Sequence, residues 1–284
     1  VLGWHYAAFH RVTSTRENIM AAVVAQRIGH GPQRVLVLHG WFGPSVFDGF
    51  FDSFDPEQFD IAIVHNSGYG DARGQEPAQD ITDLAQQHLA VADELGWAAF
   101  DIIGHSYGGA AGLRISSLAP ERVGSLVGIC PVMPSGFDAI AVENCGATAE
   151  TGPAYMAAYS KGPDAADGPG MIIAGLDPVL GADPIAYREL LDATFATMNE
   201  EAYKQYFLVW TGASFVEDVV GLNTRSLFLI GESDPFAAVN YVTPTQQSMA
   251  PEAVEVEVLP GGHFLTVSGD RAQVAGRITD FLTP

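Results

Sequence analysis

The stretch Phe100-Asp101-Ile102-Ile103-Gly104-His105-Ser106-Tyr107-Gly108-Gly109-Ala110-Ala111-Gly112-Leu113 carries the decision about the fold. An apolar run of strand length meets an Ala/Gly-rich run of helix character, and a serine sits at the junction. A serine on so tight a strand-to-helix turn is forced into strained backbone angles that push its hydroxyl into the open. The small residues two before it (Gly104) and two after it (Gly108) are then required, because any side chain there would strike neighbouring backbone. The turn also aims the first helical N–H groups at whatever the serine attacks, where negative charge on oxygen would be stabilised.

Outward from this junction the first half of the chain alternates strand-like and helix-like segments, the pattern of a mostly parallel sheet covered by helices. Strands are expected at Ile19–Ile28, Val35–His39, Phe59–His65, Phe100–Gly104 and Val123–Cys130, and helices at Pro77–Leu95 and Gly108–Ala119. From Ser135 to Val220 the rhythm breaks into helical stretches interrupted by Gly and Pro, the best being Ile185–Thr197 and Glu200–Trp210. It resumes with strands Ser226–Gly231 and Val254–Leu259, a helix around Pro244–Met249, and a last helix from Asp270 to Leu282. The expected organisation is a first core part over residues 1–134, a helical insert over 135–220 and a second core part over 221–284.

A serine hydroxyl is a poor nucleophile at neutral pH and needs a base in hydrogen-bond reach. His263, in the loop Pro260-Gly261-Gly262-His263 after the last strand, is the candidate base. The base needs a carboxylate to fix its tautomer and stabilise the imidazolium. Asp234, in Gly231-Glu232-Ser233-Asp234-Pro235, is the candidate, with Glu232 as local competitor and Asp138 as a more remote one. The chain turns sharply at His39-Gly40-Trp41-Phe42-Gly43, at the end of a strand where open α/β sheets bind ligands. The backbone N–H groups of Trp41 and Tyr107 are the expected oxyanion donors, with Phe42 the alternative to Trp41.

Composition limits the rest. The 284 residues are 48% hydrophobic and 17% charged, as in an ordinary globular protein with a sizeable core. The net charge of −21 opposes encounters with nucleic acid and with anionic membrane surfaces. No apolar run approaches the length needed to span a membrane, and Val1–Arg11 lacks the pattern of a secretory signal. Cys130 and Cys145 form neither a disulfide framework nor a zinc pattern, though a single bridge between them stays open. Cysteine usage leans toward a cytoplasmic setting. No pair of histidines has metal-ligand spacing, so no metal is expected. His5, His10, His30 and His88 read as surface or helix-face residues. His39 and His105 read as loop braces.

With these motifs assembled, the sequence resembles the α/β-hydrolase fold superfamily along nearly its whole length, through His39-Gly40-Trp41, Gly68-Tyr69-Gly70-Asp71, the turn at Ser106, Gly231–Pro235 and Gly261-Gly262-His263. The resemblance implies an eight-stranded-type, mostly parallel sheet flanked by helices, with a helical cap inserted between Ser135 and Val220. It implies a cofactor-independent serine hydrolase for an ester or lactone of a small to medium apolar substrate. C–C bond hydrolysis of a β-diketone or ring-cleavage product is the alternative, and a non-catalytic ligand-binding receptor a third reading. Relatives usually carry Asp where this chain has His65, so His65 joins Phe42 and Trp210 as a candidate pocket residue. Tyr203, Phe207 and Phe215 read either as pocket lining or as packing within the insert. The expected partner is a small molecule; the oligomeric state is left open.

Overall fold

The computed structural model describes residues 23–146 and 168–283. Seven strands form one sheet: β1 (Val23–Gly29), β2 (Gln33–Leu38), β3 (Phe59–His65), β4 (Phe100–His105), β5 (Val123–Ile129), β6 (Arg225–Gly231) and β7 (Val254–Leu259), in the order β1-β3-β2-β4-β5-β6-β7. Only the pairing of β1 with β3 is antiparallel. The sheet thus has one strand fewer than the eight expected, among the described residues. The start of the expected strand Ile19–Ile28 lies outside them.

The central strands are continuous apolar runs because helices cover both faces. Val35–Leu38, Ile102–Ile103 and Leu227–Ile230 are essentially inaccessible to solvent. Helix α1 (Ile81–Glu94) starts where Asp80 accepts hydrogen bonds from the Thr82 and Asp83 amides. It therefore begins four residues later than hydrophobic spacing suggested, because the cap and not the apolar pattern sets the boundary. It ends at Gly96, whose φ of 68° suits a left-handed cap, with Trp97 N–H donating back to the Ala92 carbonyl at 2.8 Å. Helix α2 (Tyr107–Leu118) follows Ser106 directly.

Between β5 and β6 the described residues carry α3 (Ala139–Asn144), α4 (Gly168–Leu176), α5 (Pro178–Ala182), α6 (Pro184–Thr197) and α7 (Glu200–Thr211). Aromatic contacts tie this segment to the core. Tyr203 stacks on Trp41 with centroids 4.2 Å apart, and Tyr206 stacks on Tyr107 at 5.4 Å. After β6, helix α8 (Val239–Ser248) begins well before the expected Pro244, which it carries internally. The last helix, α9 (Arg271–Leu282), packs beside β7, and its Arg277 bonds Glu257 and Glu255 of that strand at 2.6 Å each. Among the described residues no helix is long and apolar enough to cross a membrane.

The sheet order sets where a ligand can sit. β2 lies between β3 and β4, so the chain leaves β2 and β4 in opposite directions, toward β3 and β5, and a crevice opens at the carboxyl ends of β2 and β4. The His39–Gly43 loop and Ser106 occupy that crevice.

Candidate active site

Ser106 has φ 54° and ψ −123°, a backbone conformation that L-residues rarely adopt. The glycines around it explain how the turn tolerates this. A Cβ on Gly104 would lie 2.3 Å from the Gly108 carbonyl oxygen, and one on Gly108 would lie 2.2 Å from that of Leu38. Gly40 is equally constrained, because a Cβ there would lie 2.6 Å from the Ser106 Cβ. The loop after β2 and the turn after β4 can meet only because these residues are glycines.

Three side chains from the ends of three strands come together here. The Ser106 hydroxyl lies 3.0 Å from His263 Nε2, and His263 Nδ1 lies 2.7 Å from Asp234 Oδ2. All three residues are buried. A carboxylate only accepts, so Nδ1 carries the proton and donates it to Asp234, which leaves Nε2 free to accept from the serine hydroxyl. The other oxygen, Asp234 Oδ1, accepts from the amides of Phe236 and Ala237 at 2.9 and 3.2 Å, which fixes the carboxylate plane. The competing acids sit elsewhere. Glu232 is exposed, and Asp138 caps α3 by accepting from the Ile140 and Ala141 amides.

The histidine loop is held from both sides. His105 Nε2 lies 2.9 Å from the His263 carbonyl oxygen and donates to it. Burial pushes the His105 pKa down to about 3, with the neighbouring His263 adding to the shift, so its ring is neutral. From the segment between β5 and β6, the Leu176 carbonyl accepts from the His263 amide at 3.2 Å. The next residue has no signature in the sequence: Asp177 Oδ2 accepts from the Phe264 amide at 3.0 Å and the Ser268 hydroxyl at 2.6 Å. Asp177-Pro178 does look like a helix start, but its link to a loop far along the chain has no local signature.

A second network braces the turn from behind. Buried Asn66 donates its amide to His39 Nε2 at 3.1 Å and its side-chain NH₂ to the Tyr107 hydroxyl at 2.8 Å. Its Oδ1 accepts from His88 Nε2 at 2.7 Å. His39 in turn donates from Nδ1 to the Gly40 carbonyl at 2.7 Å. Burial brings both His39 and His88 down to about 3. His39 and His105 are therefore braces, as expected. His88 is wholly buried and belongs to this network, whereas His30 is exposed; His5 and His10 lie outside the described residues.

Over Ser106 lies an apolar pocket. It is lined by Trp41, Phe42, Val132, Phe137, Cys145, Ile172, Leu176, Phe207, Trp210 and Phe236. Of the candidate pocket residues, Phe42 and Trp210 line it and His65 does not. His65 Nδ1 instead accepts from the Asp71 amide at 3.0 Å, and a Cβ on Gly70 would strike its ring at 2.2 Å. Burial lowers the His65 pKa, against the pull of Asp71. The position needs an acceptor for the Gly-Tyr-Gly-Asp turn, and imidazole supplies one. Phe207 lines the pocket; Tyr203 supports it from behind Trp41, accepting the Trp41 indole N–H on its carbonyl at 2.7 Å. Phe215 packs away from the pocket, under the Arg114 guanidinium.

Among the described residues the Trp41, Phe42 and Tyr107 amides donate to no carbonyl. Cys130 and Cys145 are both thiols, so no bridge joins them. The Cys130 thiol, Asp234 and His263 lie close enough to share an ion, among the described residues. Asp234 and His263 are already bonded to each other, Asp234 Oδ1 takes two backbone amides and His263 Nε2 faces the Ser106 hydroxyl, so the carboxylate and imidazole of this trio are already engaged.

Comparison with known proteins agrees with this architecture. The chain is 36% identical over 109 residues to the pimeloyl-(acyl-carrier protein) methyl ester esterase of Nitrosomonas europaea, covering 38% of this chain and 40% of that one. It is 33% identical over 100 residues to the dihydrolipoyllysine-residue acetyltransferase component of the acetoin cleaving system of Pseudomonas putida, covering 34% and 26%. The chain spans between 26% and 40% of the length of the curated relatives it matches. The enol-lactonase from Burkholderia xenovorans shares the fold at a TM-score of 0.72 with 15% identity, over 91% of this chain and 95% of that one. The match to the family described as the alpha/beta hydrolase fold runs over residues 33–270, from the first residue of β2 to the one before α9. It takes in every parallel strand and the turn at Ser106, and the chain belongs to the α/β-hydrolase fold family.

Proposed function

We propose that the protein is a cofactor-independent serine hydrolase that cleaves an ester or lactone of a small to medium apolar substrate through an acyl-enzyme on Ser106. The observation that carries this reading is the unbroken chain Ser106–His263–Asp234, at 3.0 and 2.7 Å, on the floor of an apolar pocket. His263 Nε2 takes the Ser106 proton as Oγ attacks the substrate carbonyl carbon. Asp234 stabilises the imidazolium that forms. The Trp41 and Tyr107 amides receive the charge on the carbonyl oxygen, each worth on the order of 3 kcal/mol in the transition state. His263 then returns the proton to the departing alkoxide. A water, deprotonated by the same nitrogen, attacks the acyl carbon and releases the acid and the Ser106 hydroxyl.

The segment 135–220 acts in this reading as a cap. Its Phe207, Trp210, Ile172 and Leu176 close the pocket with apolar surface, which favours an alkyl or ring substituent and excludes polymers. The esterase activity named for the Nitrosomonas relative is in keeping with this chemistry. The test is reaction with a serine-directed phosphonate and turnover of a short-chain chromogenic ester. A covalent adduct on Ser106, absent in Ser106→Ala, together with loss of turnover in that variant without loss of fold, is expected. Turnover retained by Ser106→Ala would remove the serine from the mechanism.

A further inference from the structure

Asp177 lies at the hinge between the pocket wall and the histidine loop. Helix α4 ends at Leu176, and both Leu176 and Ile172 of that helix face the pocket. The next residue, Asp177, is fully buried. Its Oδ1 accepts from the Leu180 amide at 2.7 Å and so caps α5, while its Oδ2 accepts from Phe264 N–H and the Ser268 hydroxyl. The Leu176 carbonyl takes the His263 amide itself. The fit is close: a Cβ on Gly262 would lie 2.4 Å from the Asp177 carboxyl carbon.

Both Asp177 oxygens are engaged, by three donors that are all neutral. A side chain with one oxygen satisfies only some of them. The structure therefore has a buried carboxylate that fastens the segment between β5 and β6 to Phe264 and Ser268, in the loop that follows His263. We infer, resting on the reading of Ser106 and His263 given above, that Asp177 is a positioning residue: it transmits the position of the α4 pocket wall to His263. A substrate group that presses on Ile172 and Leu176 thereby acts on the alignment of Nε2 with the serine hydroxyl, and the pocket's preference is expressed in kcat as well as in KM.

The substitution Asp177→Asn tests this, because it keeps one oxygen for the α5 cap and replaces the acceptor that faces the Phe264 amide with a donor. A displacement of about 1 Å in a reacting group costs on the order of 10²-fold in rate. The expected result is a fall of about that size in kcat with KM for a chromogenic ester changed little. The rate of phosphonate inactivation falls in parallel, and the downfield proton resonance of the His263–Asp234 hydrogen bond is shifted or broadened. Across esters of increasing acyl length, kcat should rise in the wild type and stay flat in the variant. Should Asp177→Asn not fold, Ser268→Ala removes one of the two loop contacts and keeps the carboxylate; it should lower kcat by a smaller factor and move the same resonance. Wild-type kcat and an unmoved resonance in a folded variant would overturn the inference. Failure of wild-type protein to form the Ser106 adduct would instead overturn the hydrolase reading, so the two failures are distinguishable.

Discussion

Replacing His88 with Gln should remove a measurable part of the protein's sensitivity to acid. His88 is wholly buried, and its pKa is brought to about 3 by loss of hydration, against 6.5 in the unfolded chain. Because the folded value is depressed, the unfolded chain binds the proton more readily. The stability this neutral ring contributes is present above pH 6.5 and is lost as pH falls toward about 3. Between pH 7 and pH 5 the unfolded ring goes from mostly neutral to almost wholly protonated while the folded ring stays neutral, a loss of about 2 kcal/mol. Gln places an amide N–H near the position of imidazole Nε2, so the bond to Asn66 Oδ1 is retained and the titration is abolished. Urea unfolding followed by circular dichroism at the two pH values gives the stability gap between wild type and variant. His39, His105 and the excess of negative charge titrate alike in both proteins and cancel in the difference. The gap should shrink by about 2 kcal/mol on going to pH 5. A gap that stays constant within about 0.5 kcal/mol, the usual error of additivity, would show that His88 is not held neutral by burial.

Two other changes bear on the site directly. Asp234→Asn should lower kcat by about 10⁴-fold, since an amide that donates to Nδ1 fixes the wrong tautomer; steady-state kinetics beside a thermal melt close to wild type would check it. Gly40→Ala sets a methyl carbon 2.6 Å from the Ser106 Cβ, so loop and turn must part by most of an ångström. A loss on the order of 10²-fold in kcat/KM is expected, read in the same ester assay, and an unaltered value would mean that the loop after β2 plays no part in aligning the serine.

Much of this architecture is legible in the chain because its signals are local. The strand-to-helix turn at Ser106 carries its own requirement for Gly104 and Gly108, and both glycines do meet backbone within 2.3 Å where a Cβ would stand. The order Ser106, Asp234, His263 places each residue at the end of a strand that periodicity alone finds, and the three side chains do meet. What stayed hidden depends on contacts between distant segments. Asp177 and Ser268 are 91 residues apart, and His88 reaches Asn66 across two elements. Nothing in the neighbourhood of either residue announces such a partner. His65 shows the opposite failure: a departure from the family pattern suggests a role in the pocket, yet it fills the same structural need with a different acceptor. Helix starts were displaced for a simpler reason. Apolar spacing marks the buried face, whereas a cap such as Asp80 marks the end.

The pair of bonds from Arg277 to Glu255 and Glu257 has a consequence beyond this helix–strand contact. Among the described residues β7 is an outer strand, with one row of main-chain donors and acceptors that pairs with no further strand. Such a margin invites a foreign strand to add on, which is how many sheet proteins begin to aggregate. Here a newcomer would have to lay its side chains beside two carboxylates and the guanidinium spanning them, on a molecule whose charge of −21 already repels its own copies. Along Val254-Glu255-Val256-Glu257 the two half-buried valines thus pack against the core while the glutamates between them discourage fibre growth.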